Sequence, residues 1–248
     1  VGKKVRVDRW LVERGLAPTR DRARELVEQG DVLVGGLVVT NPAAQVDVDR
    51  GVALRSTEHV WVGRGARKLL SALDALAFDP AGCTCADLGA STGGFTEVLL
   101  HRGARRVYAV DVGRGLLHER LQADPRVVVM DGVNARHLER LPEEVTRLVG
   151  DLSFISLASI LPAVARLLPP GGEALVLVKP QFEVARGDAG GGRVRDEEVR
   201  SEAIARVRAE AQGAGFAVLG AVDSGVAGAR SGNVEHFLWL RRVADSPT

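Results

Sequence analysis

Apolar positions divide the chain into two unlike parts. From residue 83 onward, near-continuous apolar runs at 83–88, 106–110, 126–130, 146–150 and 173–178 read as buried strands. Between them, 95–102, 115–122, 134–140, 156–168 and 196–213 carry helical spacing. Such alternation predicts a parallel sheet with helices on both faces. Two closing runs, 216–222 and 234–242, have no helix between them, which predicts a terminal hairpin that inserts an antiparallel strand. Before residue 55 the pattern changes. Val7, Trp10 and Leu11 share one helical face that Gly15 stops, and Thr19 caps a second helix over 20–29. Val32–Val34 and Leu37–Val39 then flank Gly35-Gly36 as a β-hairpin. Residues 55–66 have no long periodicity, and a helix over 67–78 follows. The pattern therefore predicts a small α+β unit at 1–54, a linker at 55–66 that includes Trp61, and a larger α/β domain at 67–248.

Composition narrows the setting. The 248 residues are 46% hydrophobic, enough for a sizeable core, and the net charge of +1 leaves any nucleic-acid affinity to local patches. No run of eighteen apolar residues exists and the first residues are charged, so no membrane span or signal peptide is expected. Cys83 and Cys85 are too close for an ordinary disulfide and make at most half a metal site. A reduced, cytoplasmic protein without a metal is expected.

The chemistry centres on Asp87-Leu88-Gly89-Ala90-Ser91-Thr92-Gly93-Gly94-Phe95, the end of the first strand, a glycine-rich turn and a helix start. Glycines let backbone approach a ligand, and a helix start offers free N–H groups. Asp111 ends the next strand 22 positions after Gly89, where an acidic residue takes ribose hydroxyls. An adenosine-bearing cofactor follows. The dinucleotide fingerprint needs a second glycine where Ser91 stands, and Asp87 suits a cationic amino-acid tail better than a pyrophosphate. S-adenosylmethionine meets both conditions. Ligands in such sheets bind outside the carboxyl ends of the strands, where Asp87, Asp111, Asp131, Asp151 and Lys179 stand. Asp131 or Asn134 marks the adenine end. Lys179, closing a fully apolar run, needs a partner, and Asp151 is on the adjacent strand.

Over residues 1–30, eight basic side chains face five acids. Thr19-Arg20, Ala23, Leu26-Val27, Gly30, Val32, Val34 and Gly36 resemble the S4-like RNA-binding domain. That resemblance implies that Arg6, Arg9, Arg20 and Arg24 contact RNA phosphates. Five further runs are 63–69 (Gly-Arg-Gly-Ala-Arg-Lys-Leu), 89–97, 151–156, 178–183 and 232–235. Together they resemble the TlyA family, in which an S4-like domain is joined to a catalytic domain of the FtsJ 2′-O-methyltransferase type. One departure is His59, two before Trp61, where relatives often carry a basic residue.

The resemblance implies a Rossmann-like class I fold and S-adenosylmethionine-dependent methylation of cytidine ribose in ribosomal RNA of the large subunit, with the small subunit a second candidate. Ribosomal subunits are then the partners, and relatives are linked to sensitivity to ribosome-binding antibiotics. The family's Lys-Asp-Lys-Glu tetrad falls on Lys68, Asp151, Lys179 and Glu235. The implied cofactor set is Asp87, Gly89, Ala90, Ser91, Thr92, Gly93, Phe95, Asp111, Val112, Asp131, Asn134 and Asp151. Arg64 and Arg67 join the RNA-binding arginines. Burial and Lys68 push Lys179 toward a neutral base, whereas Asp151 and Glu235 push it toward a charged group that orients the hydroxyl. The arginines and three glycines of 186–195 read either as an RNA clamp or as an ordinary surface loop. Three other functions fit parts of the chain: a membrane-active haemolysin, a non-catalytic RNA-binding module and a small-molecule methyltransferase. The missing spanning or strongly amphipathic cationic helix opposes the first, the intact charged set the second, and the N-terminal unit the third.

Overall fold

The computed structural model describes residues 4–17, 19–55, 61–153, 155–184, 194, 196–225 and 233–244. His59 and the 186–195 segment, apart from Val194, lie outside the described residues. The chain divides into two compact units, Val1–Arg64 and Gly65–Thr248.

The first unit runs β1 (Lys4–Arg6), α1 (Val7–Glu13), α2 (Arg20–Glu28), β2 (Val32–Val34), β3 (Leu37–Val39), β4 (Gln45–Asp47) and β5 (Val52–Leu54). Thr19 caps α2 by accepting from the Arg22 N–H at 3.2 Å. The hairpin β2–β3 gains β5 on its other side, and β1 pairs with β4. These two pairings were not legible in the pattern, because three-residue strands show no periodicity. Val7, Trp10, Leu11, Leu26, Val27 and Val32 form the core. Trp61 belongs to this unit, its carbonyl taking the Gln29 side-chain N–H at 2.7 Å.

The second unit runs α3 (Gly65–Ala75), β6 (Thr84–Leu88), α4 (Gly94–His101), β7 (Arg106–Asp111), α5 (Glu119–Gln122), β8 (Val127–Asp131), β9 (Arg147–Gly150), α6 (Leu161–Leu167), β10 (Glu173–Val178), α7 (Pro180–Glu183), α8 (Glu197–Gly213), β11 (Phe216–Asp223) and β12 (His236–Arg242). The helix expected from residue 67 begins at Gly65. Seven strands form one sheet in the order β11-β12-β10-β9-β6-β7-β8. β10, β9, β6, β7 and β8 are parallel, and β12 inserts antiparallel between β10 and β11. Glu173, buried on β10, accepts from Trp239 and Arg241 of β12 and so pins that insertion. Leu88, Tyr108, Leu148, Val176 and Leu238 centre the core.

Three expected helices are shorter. Residues 134–140 hold only a 3-10 turn at Ala135–His137, because Asn134 caps it and Leu138 returns to extended backbone. Residues 115–122 reduce to α5, which starts only after His118 caps it. The 156–168 stretch is a 3-10 turn, Leu157–Ser159, followed by α6.

Candidate active site

The topology gathers the site at one sheet edge. Asp87 is the penultimate residue of β6, and Asp151 and Lys179 directly follow β9 and β10. β12 runs the opposite way, so its start, preceded by Glu235, lies at that same edge. Lys68 enters from the first turn of α3. The four tetrad residues converge. Lys68 Nζ donates to Glu235 Oε2 at 2.6 Å and lies 3.7 Å from Asp151 Oδ2. Lys179 Nζ lies 2.5 Å from Asp151 Oδ1 and donates to Ser153 Oγ at 2.7 Å. Lys68, Lys179 and Glu235 are buried, and Asp151 is the most exposed member, with 21% of its side chain open. Two ammonium groups and two carboxylates balance, which makes the burial tolerable.

Ser153 and Glu183 were not singled out from the sequence. Glu183 accepts from the Ser156 hydroxyl at 2.6 Å and the Leu157 N–H at 2.7 Å. It thereby clasps the loop after Asp151 to the helix after Lys179. Burial pushes the Glu183 carboxyl up. The signal was its position at the end of α7, four residues after Lys179.

The glycine turn differs from expectation in one informative way. Four of its N–H groups are spent inside the protein: Gly89 and Ala90 donate to the Val110 carbonyl, Gly93 to Ala90, and Ser91 to Asp111 Oδ2 at 2.8 Å. The four amides of Gly89, Ala90, Ser91 and Gly93 are therefore not available to a pyrophosphate. Ser91, at the position of the second fingerprint glycine, has φ 49, in the left-handed region. Gly89, at φ +83, passes so close to the next strand that a Cβ would sit 2.7 Å from the Asp151 carbonyl oxygen.

Beneath the turn, Asp87 is fully buried and takes the Thr96 hydroxyl at 2.7 Å on Oδ2. Burial, reinforced by the nearby Asp151 and Asp111 carboxylates, pushes it up to about 7. Among the described residues, Asp87 Oδ1 and Asp151 Oδ1 receive no aligned hydrogen bond. Asp151 Oδ1 already faces the Lys179 ammonium at 2.5 Å, which leaves Asp87 Oδ1 as the buried carboxylate oxygen suited to a cationic ligand. The residues thus fit a cofactor with an ammonium group and no phosphate, as S-adenosylmethionine is.

The other expected site residues divide. Asp111 Oδ1 takes the Gly113 N–H, Asp131 Oδ2 takes the Gly115 N–H, and Val112 is exposed. Asp111 and Asp131 face each other in the β7–β8 register. Asn134 Oδ1 takes the Arg136 N–H as a cap. Thr92 is exposed and its carbonyl accepts from His118 N–H. The Phe95 ring is core, 5.8 Å from the Phe237 ring. In α3, burial pushes the Arg67 guanidinium down; Arg64, half-buried, ends the first unit. No group of three potential metal ligands occurs among the described residues.

Fold and site define a class: a Rossmann-like methyltransferase preceded by a small α+β unit. Family models agree, with an S4 domain matched over residues 5–51 and an FtsJ-like methyltransferase over 61–242. The 16S/23S rRNA (cytidine-2′-O)-methyltransferase TlyA of Mycobacterium tuberculosis is 47% identical over 99% of this chain and 92% of its own length. The chain belongs to the TlyA family. A solved protein from Streptococcus thermophilus described as a hemolysin gives a TM-score of 0.76 at 37% identity, covering 100% of this chain and 91% of that one. An S-adenosylmethionine-dependent methyltransferase from Listeria monocytogenes shares the fold alone, with a TM-score of 0.55 at 14% identity over 73% of this chain and 100% of that one. No helix among the described residues is long and apolar enough to cross a membrane.

Proposed function

We propose that this protein methylates cytidine 2′-hydroxyls of ribosomal RNA, with S-adenosylmethionine as methyl donor and ribosomal subunits as partners. The observation that carries the reading is the convergence of Lys68, Asp151, Lys179 and Glu235 beside the Asp87 turn. Asp87 would take the cofactor's ammonium, the 89–93 turn would lie along it, and Asp111 would hold its ribose. When bound, the cofactor supplies a methyl group on a positively charged sulfur, already activated for transfer.

The protein's task is then alignment, which can supply up to ~7–11 kcal/mol. Lys179 has acceptors on two sides, Asp151 and Ser153, so it acts as a donor and orients the ribose hydroxyl oxygen. Asp151 Oδ1 already holds the Lys179 ammonium, so water takes the hydroxyl proton. Lys68, held by Glu235, fixes the other oxygen of Asp151. The Glu183 clasp keeps the two loops in register.

The test is transfer of tritiated methyl from S-adenosylmethionine to purified ribosomal subunits, followed by nuclease digestion and mass spectrometry. The expected product is 2′-O-methylcytidine. Label on a base, or none on RNA, would refute the proposal.

A further inference from the structure

The first unit holds an arrangement that the charge count of the sequence does not reveal. Asp8, in the first turn of α1, has a fully buried side chain. Arg6 grips it with both arms of its guanidinium, Nε at 3.0 Å and Nη2 at 2.8 Å. Arg20 Nε donates to the same carboxylate at 3.2 Å, and Arg24 Nε lies 3.8 Å away. The Asp8 amide donates to the Pro42 carbonyl, and Asp8 Oδ1 takes the Arg9 N–H, so the carboxylate is fixed from its own backbone. Arg6 beside it drives the Asp8 carboxyl down to about 2. Three guanidiniums, one from β1 and two from α2, are thus tied to one buried carboxylate on α1, while 35%, 56% and 52% of their side chains stay open to solvent.

We propose that Asp8 is a positioning residue that assembles Arg6, Arg20 and Arg24 into one anion-binding cluster for the RNA backbone. The inference rests on the reading of RNA as substrate. Arg24 also lies 4.0 Å from Asp21, so three guanidiniums against two carboxylates leave a local surplus of one charge, and the forks keep N–H groups for phosphate oxygens. Arg9 stands apart: its guanidinium is tied to Glu13 at 2.8 Å along α1, so it is outside the cluster. Position matters more than total charge here. Arg6 and Arg24 also line a cleft of about 520 Å³ whose walls include Asp21, Glu25 and Glu28. Those acids sit beside Arg6 and Arg24 and offset part of their charge on the cleft side.

The inference makes a prediction of unusual sign. Asp8→Asn raises the net charge by one, so a charge count says that RNA binds more tightly. Loss of the anchor says the opposite. The test is fluorescence anisotropy of the full chain with a labelled RNA hairpin across a salt series. Arg20→Ala and Arg24→Ala are each expected to weaken binding and reduce the salt slope by about one contact. Arg9→Ala is expected to leave the affinity within about twofold, and Asp8→Asn to weaken it roughly three- to tenfold. Equal or tighter binding by folded Asp8→Asn would overturn the anchor role.

Should Asp8→Asn not fold, the double variant Arg20→Lys/Arg24→Lys keeps both charges on exposed side chains but loses the forks. It is expected to bind more weakly, and wild-type affinity would overturn the proposal. If even Arg20→Ala/Arg24→Ala binds as the wild type does, the RNA reading of this face fails, a result distinct from failure of the anchor alone. Equal affinity for phosphatidylglycerol vesicles, lost in the same variants, would assign the cluster to lipid headgroups and also overturn it.

Discussion

Asp87→Asn exposes the strain on which the cofactor site is built. In the folded protein Asp87 keeps its proton up to about 7, because burial outweighs the Thr96 hydrogen bonds and the carboxylates of Asp151 and Asp111 oppose its charge. In the unfolded chain it ionises near 3.8. Between those pH values the native state holds the extra proton, so stability falls as pH rises. The slope is about 1.4 kcal/mol per pH unit, levelling near a total of about 4 kcal/mol above pH 7. Asn does not ionise. Relative to the variant, the wild type should therefore lose about 2–3 kcal/mol between pH 5 and pH 8. For a protein of this size that is roughly 5–10 °C in Tm. Melting curves of both cofactor-free proteins at the two pH values measure it. The hydrogen-bonding cost of the Asn amide is the same at both and cancels. The same ionisation favours an ammonium ligand, so S-adenosylmethionine affinity by calorimetry should rise from pH 6 to pH 8 for the wild type and stay low and flat for Asp87→Asn. A Tm offset that does not change with pH would refute the reasoning.

Gly89→Ala combines a left-handed backbone with a Cβ 2.7 Å from the Asp151 carbonyl oxygen. It should cost about 2 kcal/mol or more in urea unfolding and abolish cofactor binding; retention of both would contradict the close approach. Glu235→Gln removes the 2.6 Å partner of buried Lys68 but leaves Asp151 at 3.7 Å. The expected loss is at the lower end of a broken buried pair, about 3 kcal/mol, and a loss near zero would show that the pair is not buried in solution. Ser156→Ala and Glu183→Gln should each lower kcat with cofactor Kd unchanged. The double variant should be no worse than the worse single one, since both open the same clasp; additive losses would show that they act separately.

Much of the catalytic unit was legible because its strands are apolar on both faces and its charged residues sit at their ends. Asp151 and Lys179 stood out for the cost of charge beside Val149 and Val178. The link to Lys68 and Glu235, 167 positions apart in sequence, came only from family likeness, since no local pattern reports such a contact. Helical spacing at 134–140 misled because Asn134 and the polar residues after it satisfy a short turn as readily as a helix. The β1–β4 pair and the Asp8 cluster were hidden for a common reason: both rest on geometry that side-chain periodicity does not encode. The arginines expected to meet RNA were correctly seen as basic, but their arrangement around one buried carboxylate was not.

The central claim is that Lys179, held between Asp151 and Ser153, orients the reacting hydroxyl. Single-turnover methyl transfer to ribosomal subunits by Lys179→Ala, with S-adenosylmethionine affinity measured on the same preparation, tests it most directly. The expected result is a rate lowered by roughly 10²-fold or more with cofactor Kd unchanged. Transfer within roughly threefold of the wild-type rate by a folded, cofactor-binding variant would contradict the claim.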